Sequence, residues 1–164
     1  LDDVVVSHSN SRELVAGAFA LPQPMPSDTQ PRSGELAGVR ILVVDDDAAC
    51  RRAYRRLLTA AGATVETAPG AQQGLATFHR TRPHVVVSDL SLPGEDGCWL
   101  MRRIRAAVGR TAGRPRAVVV TGQAVERERT RCLAAGFDAF LTKPVDPGVL
   151  FDVVAWLARD AKTS

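Results

Sequence analysis

Four places along the chain put a reactive side chain directly after a strand-like run. Val39 to Val44 is followed by Asp45, Asp46 and Asp47. Val85, Val86, Val87 and Ser88 are followed by Asp89. Ala117 to Val120 leads to Thr121, and Phe137 to Thr142 leads to Lys143 and Pro144. A single aspartate at the end of a strand is ordinarily a helix cap, and Asp47 is expected to cap the first helix. Taken together, the four ends offer a carboxylate cluster, a hydroxyl and an ammonium. Carboxylates crowded this closely repel one another and resist ionising unless a cation sits among them. A hard divalent ion suits them, and Mg²⁺ typically takes one or two carboxylates plus waters and phosphate oxygens. Lys143 adds a fixed positive charge and Thr121 a hydrogen-bond donor. This is equipment for phosphoryl transfer to a carboxylate nucleophile.

The elements that must position these groups follow from the apolar pattern. Val39–Val44 is apolar apart from Arg40, as expected of a strand buried on both faces. Cys50, Ala53, Tyr54, Leu57, Leu58 and Ala61 recur at helical spacing, and Gly62 ends that helix. Ala63–Thr67 reads as a weaker strand. Leu75 and Phe78 mark a second helix, which Gly74 weakens. His84–Ser88 is a third strand. Leu100, Ile104 and Val108 mark a third helix, and a Gly- and Arg-rich loop over 109–114 leads to a fourth strand at Ala117–Val120. Val125, Cys132 and Leu133 mark a fourth helix ending at Gly136, and Phe137–Thr142 is the fifth strand. Pro147 opens a last helix carrying Leu150, Phe151, Val154 and Leu157. Strict alternation predicts an α/β fold with helices on both faces of a parallel sheet. For this size the expected form is a flavodoxin-like three-layer (βα)5 unit, with five strands in the order 2-1-3-4-5. Ligands of such sheets lie at the carboxyl ends of the strands, where all the groups named above fall.

Composition excludes several classes. Hydrophobic residues are 45% and charged residues 24% of the 164, which places the chain among ordinary globular proteins. No apolar run approaches the ~20 residues that span a bilayer, so membrane contact is not expected and a cytoplasmic location is. The net charge of +3 raises the question of nucleic acid. The arginines, however, come in pairs (Arg51 with Arg52, Arg55 with Arg56, Arg102 with Arg103) that read as solvated helix faces, without stacking aromatics, so no nucleic-acid partner is expected. Cys50, Cys98 and Cys132 have no partner at metal-ligand spacing and read as buried free thiols in a reducing compartment. Residues 1–38 differ from the rest: Pro22–Gly34 is Pro-rich and polar like a linker, preceded by a short apolar run. The domain is therefore expected over 39–160, with 161–164 a tail. A chain beginning at Leu1 reads as a piece of something longer.

Leu42-Val43-Val44-Asp45-Asp46, Ser88-Asp89-Leu90-Ser91-Leu92-Pro93-Gly94-Glu95-Asp96-Gly97, Val120-Thr121-Gly122 and Lys143-Pro144 together resemble the receiver domains of two-component response regulators, over about residues 39 to 160. The resemblance implies that Asp89 is the phosphoacceptor, charged by the phosphohistidine of a histidine kinase or a phosphotransfer protein. It implies that Asp45 and Asp46 hold Mg²⁺ with Asp89 and the Ser91 carbonyl. Thr121 and Lys143 would bind the phosphoryl oxygens, Phe140 would be an aromatic switch, and the Lys143–Pro144 bond would be cis. The domain would be a signalling module that dephosphorylates itself rather than an enzyme. Gly122 stands where the family commonly has Ala, and Gln123 and Ser91 flank the path of the hydrolytic water.

The wording at 114–122 and 134–145 is similar to receivers at the C-terminus of hybrid sensor histidine kinases, and Gly17–Pro22 resembles the end of a kinase ATP-binding domain. No output domain follows the last helix, so the receiver is expected to be one module of a larger protein. Two other readings were open. A haloacid-dehalogenase-like phosphatase would use Asp45 as nucleophile and Asp47 as its partner, with Thr121 and Lys143 in support. It would lack the later acidic pair, since Asp146 and Asp152 fall beside or in the last helix, and it leaves Asp89 unexplained. A receiver-like interaction module that is never phosphorylated would usually have lost one of the acidic, Thr or Lys positions, and all are present.

Overall fold

The structure, a computed structural model, describes residues 33–109, 113–122 and 125–163. The expectations for residues 1–32, the centre of the 109–114 loop and Gln123 lie outside the described residues. Strands and helices alternate as β1 (Arg40–Val44), α1 (Ala48–Ala60), β2 (Thr64–Ala68), α2 (Ala71–Thr81), β3 (Val85–Asp89), α3 (Gly97–Val108), β4 (Arg116–Thr121), α4 (Glu126–Ala135), β5 (Ala139–Thr142) and α5 (Pro147–Thr163). Every pairing is parallel, and the order is β2-β1-β3-β4-β5. This is the expected flavodoxin-like three-layer fold.

Strand residues point alternately to the two faces, so the sheet divides the core in two. Ile41, Val43, Val85, Val87, Val118 and Val120 face Leu58 of α1 and Leu150 and Leu157 of α5. Leu42, Val44, Val86 and Val119 face Phe78, Leu100, Met101 and Ile104 of α2 and α3. The inner strands are apolar on both faces because helices cover both. The edge strand β2 exposes Thr64 and half-exposes Glu66, which is why it reads as the weaker one. Gly74 is required by packing: a Cβ there would meet Val44 Cγ2 at 3.0 Å and Leu100 Cδ2 at 3.2 Å.

Helix α4 ends at Gly136 as expected but is only lightly buried. Val125 and Leu133 are exposed at 53% and 39%, and only Cys132 and Ala135 of the helix are buried. Val125 is the N-cap, outside the first turn. Leu133 follows Cys132 by one residue, which turns it about 100° off the buried stripe. The boundaries are also wider than expected. The Leu36 amide donates to the Ala61 carbonyl at 2.9 Å and its side chain is buried in the α1–α5 core, while α5 runs on to Thr163.

At the amino end of β4 and β5, Asp138 gathers three guanidinium groups. It accepts from Arg105 at 3.2 Å, Arg114 at 2.9 Å and Arg116 at 3.0 Å, and from the Ala117 amide at 2.8 Å. Arg105 also donates to the Pro115 and Gly136 carbonyls. Burial pulls its pKa down to about 10 despite Asp138 beside it. This hub ties α3, β4 and β5 together at the edge of the sheet opposite the strand ends that carry the reactive groups.

Candidate functional site

At the end of β1 the chain turns sharply into α1. Asp45 is buried and its Oδ1 accepts the Asp47 amide at 2.9 Å. Asp46 is exposed. Asp47 turns away to cap α1, its Oδ1 accepting the Ala49 amide at 2.7 Å. The backbone hydrogen bonds from Ala49 and Cys50 hold the Asp47 carboxyl below its ordinary pKa. Arg51 adds a restraint that the pairing of arginines hides: its guanidinium donates to the Asp45 carbonyl at 2.7 Å and the Asp46 carbonyl at 3.1 Å. It is therefore not part of a solvated helix face, as its partner Arg52 is. The only sequence signal is its place in the first turn after the acidic run.

Asp89 ends β3 and is 7% exposed. Its Oδ1 accepts the Ser91 amide at 3.0 Å and its Oδ2 the Lys143 ammonium at 3.0 Å. Lys143 reaches Asp45 Oδ2 as well, at 2.9 Å. The ladder between β4 and β5 delivers it there, since the Lys143 amide donates to the Thr121 carbonyl at 2.7 Å and Thr121 pairs in register with Thr142. Thr121 is fully buried at the end of β4, and the Lys143–Pro144 bond is cis as expected.

The electrostatics follow from burial set against these contacts. Desolvation raises the Asp89 pKa above its ordinary value, and the Lys143 ammonium and Ser91 amide only partly offset it. Burial acts to lower Lys143, but hydrogen bonds to Asp45 and Asp89 and their charges outweigh it and leave the ammonium raised. Lys143 is thus protonated throughout the physiological range.

Carboxylate oxygens of Asp45, Asp46 and Asp89 lie within 4.8 Å of one another. Three hard oxygen donors, two of them buried, fit a small divalent cation. Three carboxylates against one ammonium leave an excess negative charge that such a cation would balance.

The structure thus brings together Asp45, Asp46, Asp89 and Lys143, with Thr121 and Ser91 alongside. It does not bring Asp47 into the group, and the phosphatase reading loses its second carboxylate. Asp146 caps the start of α5, its Oδ1 accepting the Gly148 amide at 2.8 Å. Phe140 lies further back along β5, paired with Val119. It is half-buried against the α2–α4 side of the core, with the Arg129 guanidinium 5.9 Å from its ring centroid. Gly122 is exposed, with no atom within 4 Å of where a Cβ would stand.

A five-stranded α/β domain with an acidic cluster and a lysine at its topological switch point defines a class of phosphate-handling signalling domains. The model of the response regulator receiver domain matches residues 41–155, and the chain belongs to that family. An uncharacterised 14.6 kDa protein of Leptolyngbya boryana is 41% identical over 120 residues, covering 73% of this chain and 89% of that one. The response regulator MprA of Mycolicibacterium vanbaalenii is 39% identical over 106 residues, 65% of this chain. The chain spans only 44% of MprA's length. Among solved structures, a CheY-like receiver domain protein from Methanospirillum hungatei superposes with a TM-score of 0.70 at 30% identity, covering 76% of this chain and 97% of that one.

Proposed function

We propose that Asp89 accepts a phosphoryl group from a phosphohistidine on a histidine kinase or phosphotransfer protein, and that the resulting aspartyl phosphate switches a protein-interaction surface. The observation that carries this reading is the Lys143 ammonium bridging Asp45 and Asp89 at 2.9 and 3.0 Å beside the Asp46 carboxylate. Asp89 is held by both oxygens, so its orientation is set before a donor arrives. An Asp89 oxygen attacks phosphorus, the bond from phosphorus to the donor imidazole breaks, and an acyl phosphate remains. Desolvation raises the basicity of Asp89 and with it its strength as a nucleophile. Lys143 and the Thr121 hydroxyl then turn to the new phosphoryl oxygens. Asp45, Asp46, Asp89 and the Ser91 carbonyl would hold Mg²⁺, which when bound neutralises charge on the transferring group.

An apolar groove beside Lys143, lined by Cys50, Tyr54, Leu57 and Val145, gives the histidine-bearing helix of the donor a seat next to the acceptor. The exposed Arg52, Arg55 and Arg56 on the same helix favour an acidic donor surface. On the output side, pulling Thr121 inward acts on Phe140 and on α4, which covers it through Arg129. This is a local charge event biasing a packed surface. The similarity to hybrid-kinase receivers supports a layout in which the segment before Leu36 links the receiver, whose packed residues run from Leu36 into α5, to a preceding kinase module, in the cytoplasm.

Intact mass after incubation with Mg²⁺ and acetyl phosphate tests the reading, with Asp89→Asn alongside. One phosphoryl adduct, absent in the variant and lost with time, is expected. Steady phosphate release without an adduct would sink it.

A further inference from the structure

Outside this site, two thiols face each other across the seam between α3 and α4. The Sγ atoms of Cys98 and Cys132 are 3.8 Å apart and both side chains are fully buried. A sulfur–sulfur bond is about 2.05 Å long, so closure asks the two sulfurs to approach by a little under 2 Å. Four further features favour that closure. Cys98 lies in the first turn of α3, where helix N-termini favour a thiolate. The contact with the Cys132 sulfur also holds the Cys98 thiol below its ordinary pKa. The neighbouring residues Asp96 and Arg131 form an ion pair that fixes the register of the seam. Finally, α4 buries only Cys132 and Ala135 and has no side-chain cap at its N-terminus. An element so lightly anchored opens readily and admits a water-sized oxidant.

We propose that Cys98 and Cys132 are a peroxide-responsive dithiol that closes to an intrachain disulfide and clamps α4 to α3. The Cys98 thiolate attacks a peroxide oxygen. An S–O bond forms, the O–O bond breaks, and a sulfenic acid remains with one water or alcohol released. Cys132 then attacks the Cys98 sulfur, loses its proton and displaces the hydroxyl as water. The two thiols give up two electrons to the peroxide, and a thiol reductant reverses the reaction. The consequence for signalling rests on the receiver reading: Arg129 of α4 lies over Phe140, so a clamped α4 resists the rearrangement that phosphorylation drives.

The test treats the folded chain with hydrogen peroxide, quenches it, unfolds it and alkylates the remaining thiols before mass analysis and peptide mapping. The expected product is two hydrogens lighter, keeps only Cys50 of the three cysteines open to alkylation, and yields a peptide joining Cys98 to Cys132. Cys50→Ser should give the same cross-link and Cys132→Ser none. The peptide map of the unmutated chain decides the matter even if Cys132→Ser folds poorly. Three alkylated cysteines, or a cross-link through Cys50, would overturn the proposal. Phosphoryl uptake from acetyl phosphate, read on the same samples, should be slower after oxidation and recover with reductant. Equal uptake in both overturns the effect on signalling, whereas uptake in neither refutes the phosphoacceptor role proposed for Asp89 and leaves the disulfide result standing.

Discussion

Gly97 and Asp89 meet backbone to backbone: a Cβ on Gly97 would stand 2.3 Å from the Asp89 carbonyl oxygen, and the Gly97 amide donates to the Leu90 carbonyl at 2.9 Å. The first residue of α3 thus packs against the proposed phosphoacceptor. Gly97→Ala must push the β3 end aside, and overpacking of this kind costs about 1–3 kcal/mol. Urea unfolding should show that loss, and phosphoryl uptake should fall because Asp89 is displaced from Lys143.

Lys143→Met separates two roles of one charge. Without the ammonium, three carboxylates face a cation unopposed. Mg²⁺ should bind more tightly, by about 1 kcal/mol or roughly fivefold for a partly screened charge. Trp99, in the helix whose cap follows Asp89, offers a fluorescence readout of the titration. Phosphoryl uptake should nevertheless drop sharply, because nothing replaces the ammonium at the new phosphoryl oxygens. Weaker Mg²⁺ binding in the variant would contradict this account.

Asp89 makes stability depend on pH in a defined direction. Its pKa is raised by burial in the folded protein, so the folded state holds the proton more tightly than the unfolded chain. Its contribution to stability is greatest below the unfolded pKa, near 3.8, and is lost as pH rises through the folded value. At pH 7 the ionised group is therefore a burden on folding. Asp89→Asn should be more stable than the parent at pH 7 and lose that advantage in acid, as denaturant melts at both pH values would show.

Asp138→Ala should cost about 1–3 kcal/mol, the usual penalty for leaving a desolvated hydrogen-bonding group without its partner. Arg105 would be left half-buried with its carboxylate gone. Phosphoryl uptake by the fraction that remains folded should match the parent, since Asp138 lies at the other end of the sheet. A parent-like unfolding midpoint would show that the hub is ornamental.

Gly122→Ala fills open space, with nothing within 4 Å of the new Cβ. A gain of about 0.5 kcal/mol is expected from the stiffer unfolded chain. A stiffer loop beside Thr121 should also change the lifetime of the aspartyl phosphate, measured by the decay of the adduct.

Most of the fold could be read from the chain because its central strands are uninterrupted runs such as Val85–Val87, and because each ends on a group that a core strand would not tolerate. The clustering of Asp45, Asp46, Asp89 and Lys143 followed from strand ends alone, since a parallel sheet sends all of them to one edge. What escaped was set by packing between distant segments. The Cys98–Cys132 contact joins residues 34 apart with no spacing rule to betray it. Leu36 sits in a polar, Pro-rich surrounding, and only its hydrogen bond to Ala61 reveals it as part of the core. The exposure of Leu133 was not legible either, because one buried stripe on a polar helix is too narrow to fix its phase. Arg51 was misread because a charged pair on a helix looks the same whether or not carbonyls lie within reach.

The guanidinium cluster around Asp138 divides the labour of the strands it joins. One end of β4 and β5 is riveted by charge, and the other carries Thr121 and Lys143. A lever needs a fulcrum that does not yield. On the proposed reading, a far end fixed by Asp138 would direct a change of charge at Asp89 into tilting α4 and Phe140 rather than into loosening the whole sheet.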